Sequence, residues 1–284
     1  MSTEDSPARY TNLDLWSSQE VAEALLERQF IAVSAVHRAL PELVAAAERA
    51  ALRLREGGAL SYAGAGTSGR IAAQDGAELP PTFGWPQERL RLLVAGGSGA
   101  LVQAIEGAED DRAAAREAAG QLGERDVLVS LSASGRTPFT AELTRAARAR
   151  GALTIALANN PGSELLQLAE LPIALDSGPE VIAGSTRLAA GTAQKVALNV
   201  FSTLVMVQLG RTYGNKMVAL RAANQKLEVR AARIIAELSG ADLETAAAMF
   251  GETRDVRVAV LRLKGYGPEE ARRLASEQPL RELL

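Results

Sequence analysis

The chain has 284 residues, 47% of them hydrophobic and 23% charged, which suits a globular protein of one large domain, alone or with appendages. A formal net charge of −3 leaves no footprint for nucleic acid, and the absence of cysteine excludes disulfides and thiol chemistry and suits a cytoplasmic protein. The polar, acidic start MSTEDSPARY is no signal peptide, no apolar run approaches the roughly 20 residues of a membrane span, and one histidine, His37, is too few for a metal site.

Residues 18–56 read as helix with a break near Pro41; Ser18 suits the N-cap, with Glu20 in the first turn where the dipole favours an acid, and His37 lies on the helix surface. Apolar runs of strand length then recur at 59–63, 90–95, 126–131, 153–158 and 171–175. Helical patterns at 68–78, 99–122 and 137–150 separate most of them. Near-continuous apolar strands alternating with helices predict a doubly wound α/β fold, a parallel sheet covered on both faces. A long apolar helix follows from about 187 to 211, after Ser185 and Thr186, to be buried on the sheet or on a second subunit. The charged, alanine-rich remainder holds three short helices within 241–278, broken at Gly251 and at Gly265–Pro268, with Asp242 and Gly267 near helix starts. The expected divisions are a helical region at 1–51, the sheet domain at 52–215 and a helical module at 216–284.

Two turns carry the chemical signal. GAGTSGR (64–70) follows the apolar LSYA, and SASGRTP (132–138) follows DVLVSL; each precedes a helix. A helix start offers unpaired N–H groups and the positive end of a dipole, glycines let the backbone approach closely, and hydroxyls add donors. Neither turn spells the dinucleotide or P-loop pattern, and each alone also fits a hydroxyl-capped helix. Two of them at equivalent strand ends point to a phosphate-bearing ligand. Carboxylates stand at Glu78, in DGAELPPTFG, and in the run EGAEDD (106–111). Pro80 and Pro81 should end the helix just after Glu78 and fix that side chain at an element terminus. Taken alone, Glu78 divides evenly between a functional and a structural role, and a run such as 106–111 is usually a solvated face.

In order, the segments LSYAGAGTSGRIAAQDGAELPPTFG, AGGSGALVQAIEGAEDD, SASGRTPF, NPGS, GPEVIAGSTRLAAGTAQKVALN and YGNKMV resemble the N-acetylmuramic acid 6-phosphate etherases, of the sugar isomerase (SIS) fold. The tail is similar to the small ubiquitin-associated-like module that ends those enzymes. The resemblance implies Glu78 as proton donor, from a D-x-x-E-x-P-P-T motif, and Glu109 as the second carboxylate and base. It also implies substrate contacts from Thr67, Ser68, Gly69, Ser132, Ser134, Gly135, Arg136, Thr137, Glu180 and Ser185. The chain departs from the pattern at Gly76, Ala77 and Leu79, usually Ala, Ser and Cys, at Ala189, usually Lys, and at Asn159, usually Cys.

The implied reaction cleaves the lactyl ether of an amino-sugar phosphate. A base takes the C2 proton of the open-chain aldehyde, an acid protonates the departing lactate oxygen, and water adds to the double bond. The two carboxyls must hold opposite protonation states at neutral pH. No metal or redox cofactor is required, and the implied assembly is a homodimer, with no nucleic-acid or membrane partner. Two other readings stand beside it: a non-catalytic SIS protein that senses a sugar phosphate and regulates a partner, and an aldose–ketose isomerase on the same fold.

Overall fold

The computed structural model describes residues 2–222 and 224–284. Helix α1 (Ser18–Arg38) starts from a capping box, in which the Glu20 N–H donates to Ser17 Oγ (3.3 Å) and the Ser17 N–H to the Glu20 carboxylate (2.8 Å). The cap is therefore Ser17, one residue before the expected one. The break falls at Ala39, and α2 (Leu40–Arg55) carries Pro41 in its first turn, where its missing N–H costs nothing. His37 is exposed.

The sheet follows as β1 (Leu60–Gly64), α3 (Gly66–Phe83), β2 (Leu90–Val94), α4 (Arg112–Ala119), β3 (Val127–Ser132), α5 (Pro138–Ala149), β4 (Leu153–Ala158), α6 (Glu164–Leu168) and β5 (Leu171–Ala174). All five strands are parallel, in the order β2-β1-β3-β4-β5. Strands β1, β3 and β4 are buried at every position, which is why they read as near-continuous apolar runs. On one side Leu93, Leu128, Phe139, Leu143 and Leu122 form a shared core with the alanines of α4 and α5.

Two helices differ from expectation. Only α4 remains of the pattern at 99–122; the rest is loop, with short 3₁₀ turns at Ser98–Leu101 and Ala108–Asp110. Gly97 and Gly107 take left-handed φ angles of 71°, and Val102 (84% exposed) and Ile105 (45%) have no buried stripe to hold a helix there. In contrast, α3 runs through Pro80 and Pro81 and ends only at Gly84, whose φ of 61° and N–H to the Pro80 carbonyl (3.0 Å) form a left-handed cap. Leu79 and Phe83, one turn apart, are both buried, so packing outweighs the loss of two proline N–H groups.

Helix α7 (Ala189–Gln208) is followed by α8 (Gln225–Ser239), α9 (Leu243–Thr253), α10 (Val256–Leu263) and α11 (Pro268–Glu277). Asp242 caps α9 and Gly267 precedes α11, as expected. Gly251, however, lies inside α9; the break is at Arg254, in a left-handed conformation, and Asp255 then caps α10. Leu220, Ile235, Phe250, Val256 and Leu261 share a core of their own. The chain forms two compact units, Met1–Gly76 with Glu88–Ser202, and Ala77–Gln87 with Thr203–Leu284. Among the described residues no single helix is long and apolar enough to cross a membrane.

Candidate active site

Strand order decides where a ligand would sit. From β1 the chain steps outward to β2 and then returns across β1 to β3, so the direction of winding reverses between β1 and β3. Such a switch point leaves a crevice at the carboxyl ends of the strands. Gly64 pairs with Leu131, so those ends lie side by side, and GAGTSGR and SASGRTP are neighbours.

The second turn is held by its carbonyls. Those of Ala133, Ser134 and Gly135 accept from the Asn159 N–H (3.1 Å), Asn160 Nδ2 (3.3 Å) and the Leu165 N–H (3.0 Å). In a trans peptide the N–H points opposite to the carbonyl. The N–H groups of Ser134, Gly135 and Arg136 therefore face away from the β4 side; that of Arg136 donates to Ser134 Oγ (3.2 Å) and that of Gly135 to Ser132 Oγ, so two of the three orient hydroxyls of the turn. The hydroxyls converge: Ser132 Oγ lies 2.8 Å from Thr137 Oγ1 and 3.4 Å from Ser134 Oγ, and the Gly135 N–H meets Ser132 Oγ at 3.0 Å. Thr137 occupies the N-cap position of α5 but makes no side-chain cap bond, so its hydroxyl is not committed to the helix. Arg136 is exposed beside it.

In the first turn Thr67, Ser68 and Gly69 form the opening turn of α3, with Ser68 buried. A Cβ on Gly69 would stand 2.8 Å from the Gly64 carbonyl oxygen and 2.9 Å from Val94, so only glycine lets the helix start this close to the strand. Arg70 donates to the carbonyls of Leu101 (3.3 Å) and Gln103 (3.2 Å) and so holds the loop after β2. Further along that loop Glu109 sits exposed in a 3₁₀ turn; Ile105 and Ala108 pack within 3.2 Å of a Cβ position on Gly96, just beyond β2.

Glu78 is exposed on α3. One turn earlier, Asp75 is buried and accepts from Tyr62 Oη (2.9 Å), Asn199 Nδ2 (2.8 Å) and Ser202 Oγ (3.2 Å), which fixes that part of α3. Burial first, then the charge and hydrogen bond of Asp75, push the Tyr62 phenol well above its usual value of about 10. The folded protein keeps this proton where the unfolded chain releases it. The stability it contributes is complete below about pH 10 and falls as pH rises further. Between about pH 8 and 10.5 the wild-type urea midpoint should fall more than that of Tyr62→Phe; parallel falls would contradict the burial argument.

Glu180 is the correction among the expected substrate contacts. It is fully buried, and its two carboxylate oxygens accept from the N–H groups of Ala189 (3.0 Å) and Ala190 (2.9 Å). It holds the start of α7 and has no exposed oxygen to offer a ligand. Ser185 lies in the turn before α7, with its N–H on the Ile182 carbonyl (2.9 Å). The start of α7 packs on the first turn: a Cβ on Gly191 would lie 3.6 Å from the Thr67 methyl. Asn159 is buried, donates to the Leu175 carbonyl (3.1 Å) and accepts from Gln194 (3.1 Å), joining β4 to α7. A side chain on Gly76 would meet Leu92 at 2.7 Å, so here Leu92 takes the space.

A five-stranded parallel sheet with two glycine- and hydroxyl-rich turns side by side at its switch point is the architecture of a SIS protein. Residues 104–208 match the SIS domain model, and residues 42–147 match that of the glucokinase regulatory protein N-terminal SIS domain. A solved phosphoheptose isomerase from Francisella tularensis shares the fold, with a TM-score of 0.50 and 22% identity over 68% of this chain and 98% of that one. Closer relatives narrow the class. The N-acetylmuramic acid 6-phosphate etherase of Deinococcus radiodurans is 49% identical over 95% of this chain and 90% of its own length. That of Rubrobacter xylanophilus is 46% identical over 92% and 88%. The chain belongs to the N-acetylmuramic acid 6-phosphate etherase family.

Proposed function

We propose that the chain cleaves the D-lactyl ether of N-acetylmuramic acid 6-phosphate, releasing N-acetylglucosamine 6-phosphate and D-lactate. The observation that carries this reading is the pair of adjacent anion turns at the switch point, in a chain 49% identical to a full-length etherase. The hydroxyls of 132–137, with Thr67 and Ser68, bind the 6-phosphate. Binding energy at that remote group positions the reacting carbons.

Glu109 takes the C2 proton, which is acidic only beside the C1 aldehyde of the open-chain sugar. Glu78 gives a proton to the lactate oxygen as the C3–O bond breaks. Water then adds at C3 and a proton returns to C2. The ether-forming oxygen leaves with lactate, and no net oxidation occurs. Glu180 is left out of the substrate contacts because it holds α7. A charged, phosphorylated substrate suits a cytoplasmic enzyme. A homodimer is supported by Leu26, Phe30 and Val33, an exposed apolar stripe on α1 at helical spacing, whereas much of α7 is already buried within the chain.

The direct test is incubation of the purified protein with N-acetylmuramic acid 6-phosphate and an assay for D-lactate across pH 5 to 9. Release of lactate is expected. Binding without release at every pH would favour the sugar-phosphate-sensing regulator.

A further inference from the structure

Thr3 is fully buried, although Glu4, Asp5 and Ser6 beside it are exposed. The short segment is a preformed turn: the Ser2 N–H and hydroxyl donate to the Asp5 carboxylate at 2.8 and 3.0 Å, and the Asp5 N–H to the Ser2 carbonyl at 3.2 Å. Thr3 then makes a reciprocal pair with a residue 157 positions away. Its N–H donates to Asn160 Oδ1 (2.9 Å), and Asn160 Nδ2 donates back to Thr3 Oγ1 (3.0 Å). The same Nδ2 donates to the Ser134 carbonyl (3.3 Å). Both polar atoms of the Asn160 carboxamide are engaged, in two bonds with the N-terminal segment and one with SASGRTP.

That carbonyl has a particular consequence. Ser134 C=O and Gly135 N–H belong to one planar peptide, so fixing the first aims the second. The neighbouring carbonyls of Ala133 and Gly135 are held by backbone groups; only the central one is held by a side chain. Glu4 extends the span, its carboxylate lying 3.2 Å from a Cβ position on Gly184 in the loop before α7.

We infer that residues 2–5 are a positioning element of the phosphate turn: Thr3, acting through the Asn160 carboxamide, fixes the peptide whose Gly135 N–H donates to Ser132 Oγ (3.0 Å), and so turns the Ser132 hydroxyl proton toward the ligand. The inference rests on reading 132–137 as the phosphate site. Asn160→Asp separates the two halves of the link, because a carboxylate still accepts the Thr3 N–H but has no donor for the Ser134 carbonyl. Removal of residues 2–5 takes away the other half. Each change should raise KM for N-acetylmuramic acid 6-phosphate about tenfold, the loss of one anion-directed hydrogen bond. Because both act through one carbonyl, the combined variant should show no further rise. A change that merely loosens the fold would lower the thermal midpoint and kcat and leave KM in place.

The measurement is KM, kcat and thermal midpoint for the two variants, their combination and Ser134→Ala. Raised KM in both, without addition in the combination, supports the positioning role. Unchanged KM in either single variant, or tenfold rises that multiply, overturns it provided Ser134→Ala raises KM. If Ser134→Ala also leaves KM unchanged, it is the phosphate reading of the turn that has failed. Should the shortened chain not fold, Thr3→Val, which takes away the acceptor of Asn160 Nδ2 and keeps the side-chain shape, replaces it.

Discussion

Glu78→Gln is expected to slow lactate release by about 10²–10⁴-fold while exchange of the C2 hydrogen with solvent continues. Glutamine keeps the shape and loses the proton. Without an acid the lactate oxygen must leave as an alkoxide, but the enolate at C2 still forms and reverts. Glu109→Gln is expected to stop both events, since the C2 proton is never removed. Lactate release and deuterium exchange at C2, followed together in deuterated water, separate the two. Exchange lost with Glu78 and kept with Glu109 would reverse the assignment. Near wild-type rates in both variants would return these exposed acids to the solvated surface.

A large effect from a single added methyl is expected at Gly135. Its φ is 66°, and a Cβ would stand 2.1 Å from Ser163 Oγ and 2.4 Å from Ser163 Cβ. Left-handed strain costs about 1–2 kcal/mol and overpacking about 1–3 more. Gly135→Ala should therefore lose about 2–5 kcal/mol of stability by urea titration. Whatever folds should have a phosphate turn splayed at its centre, with a KM at least about tenfold higher. Ser163 Oγ is buried with no hydrogen-bond partner, so Ser163→Gly sacrifices little. Added to Gly135→Ala, it should relieve the overlap and leave the φ strain, recovering part of the stability. An alanine variant indistinguishable from wild type would contradict the close approach on which the turn depends.

Much of the fold was legible in the sequence because the strands lie in a parallel sheet. Buried on both faces, β1, β3 and β4 carry near-continuous apolar runs, and their observed ends fall within a residue of expectation. Helix ends were less legible because tertiary packing decided them. Leu79 and Phe83 carry α3 through two prolines, while residues 102–107, with no buried stripe, fail to form the expected helix. At the site, glycine and hydroxyl spacing marked both turns, since close backbone approach demands those residue types. The resemblance implied a substrate contact at Glu180; its burial beneath the start of α7, with both oxygens on backbone N–H groups, leaves no mark in the local sequence. Asp75 stood inside the quoted D-x-x-E motif, but its partners Asn199 and Ser202 come from a helix more than a hundred residues away. Thr3 left no local signal, because its partner is brought to it by the fold alone.

The central claim is that the ether is cleaved by elimination and then addition of water. The measurement is the isotope content of both products when the reaction runs in deuterated, oxygen-18-labelled water. The account predicts one solvent deuterium at C2 and solvent oxygen at C3 of the N-acetylglucosamine 6-phosphate, with unlabelled oxygen on the lactate C2 carbon. Product without deuterium at C2, or solvent oxygen on that carbon of lactate, would contradict it.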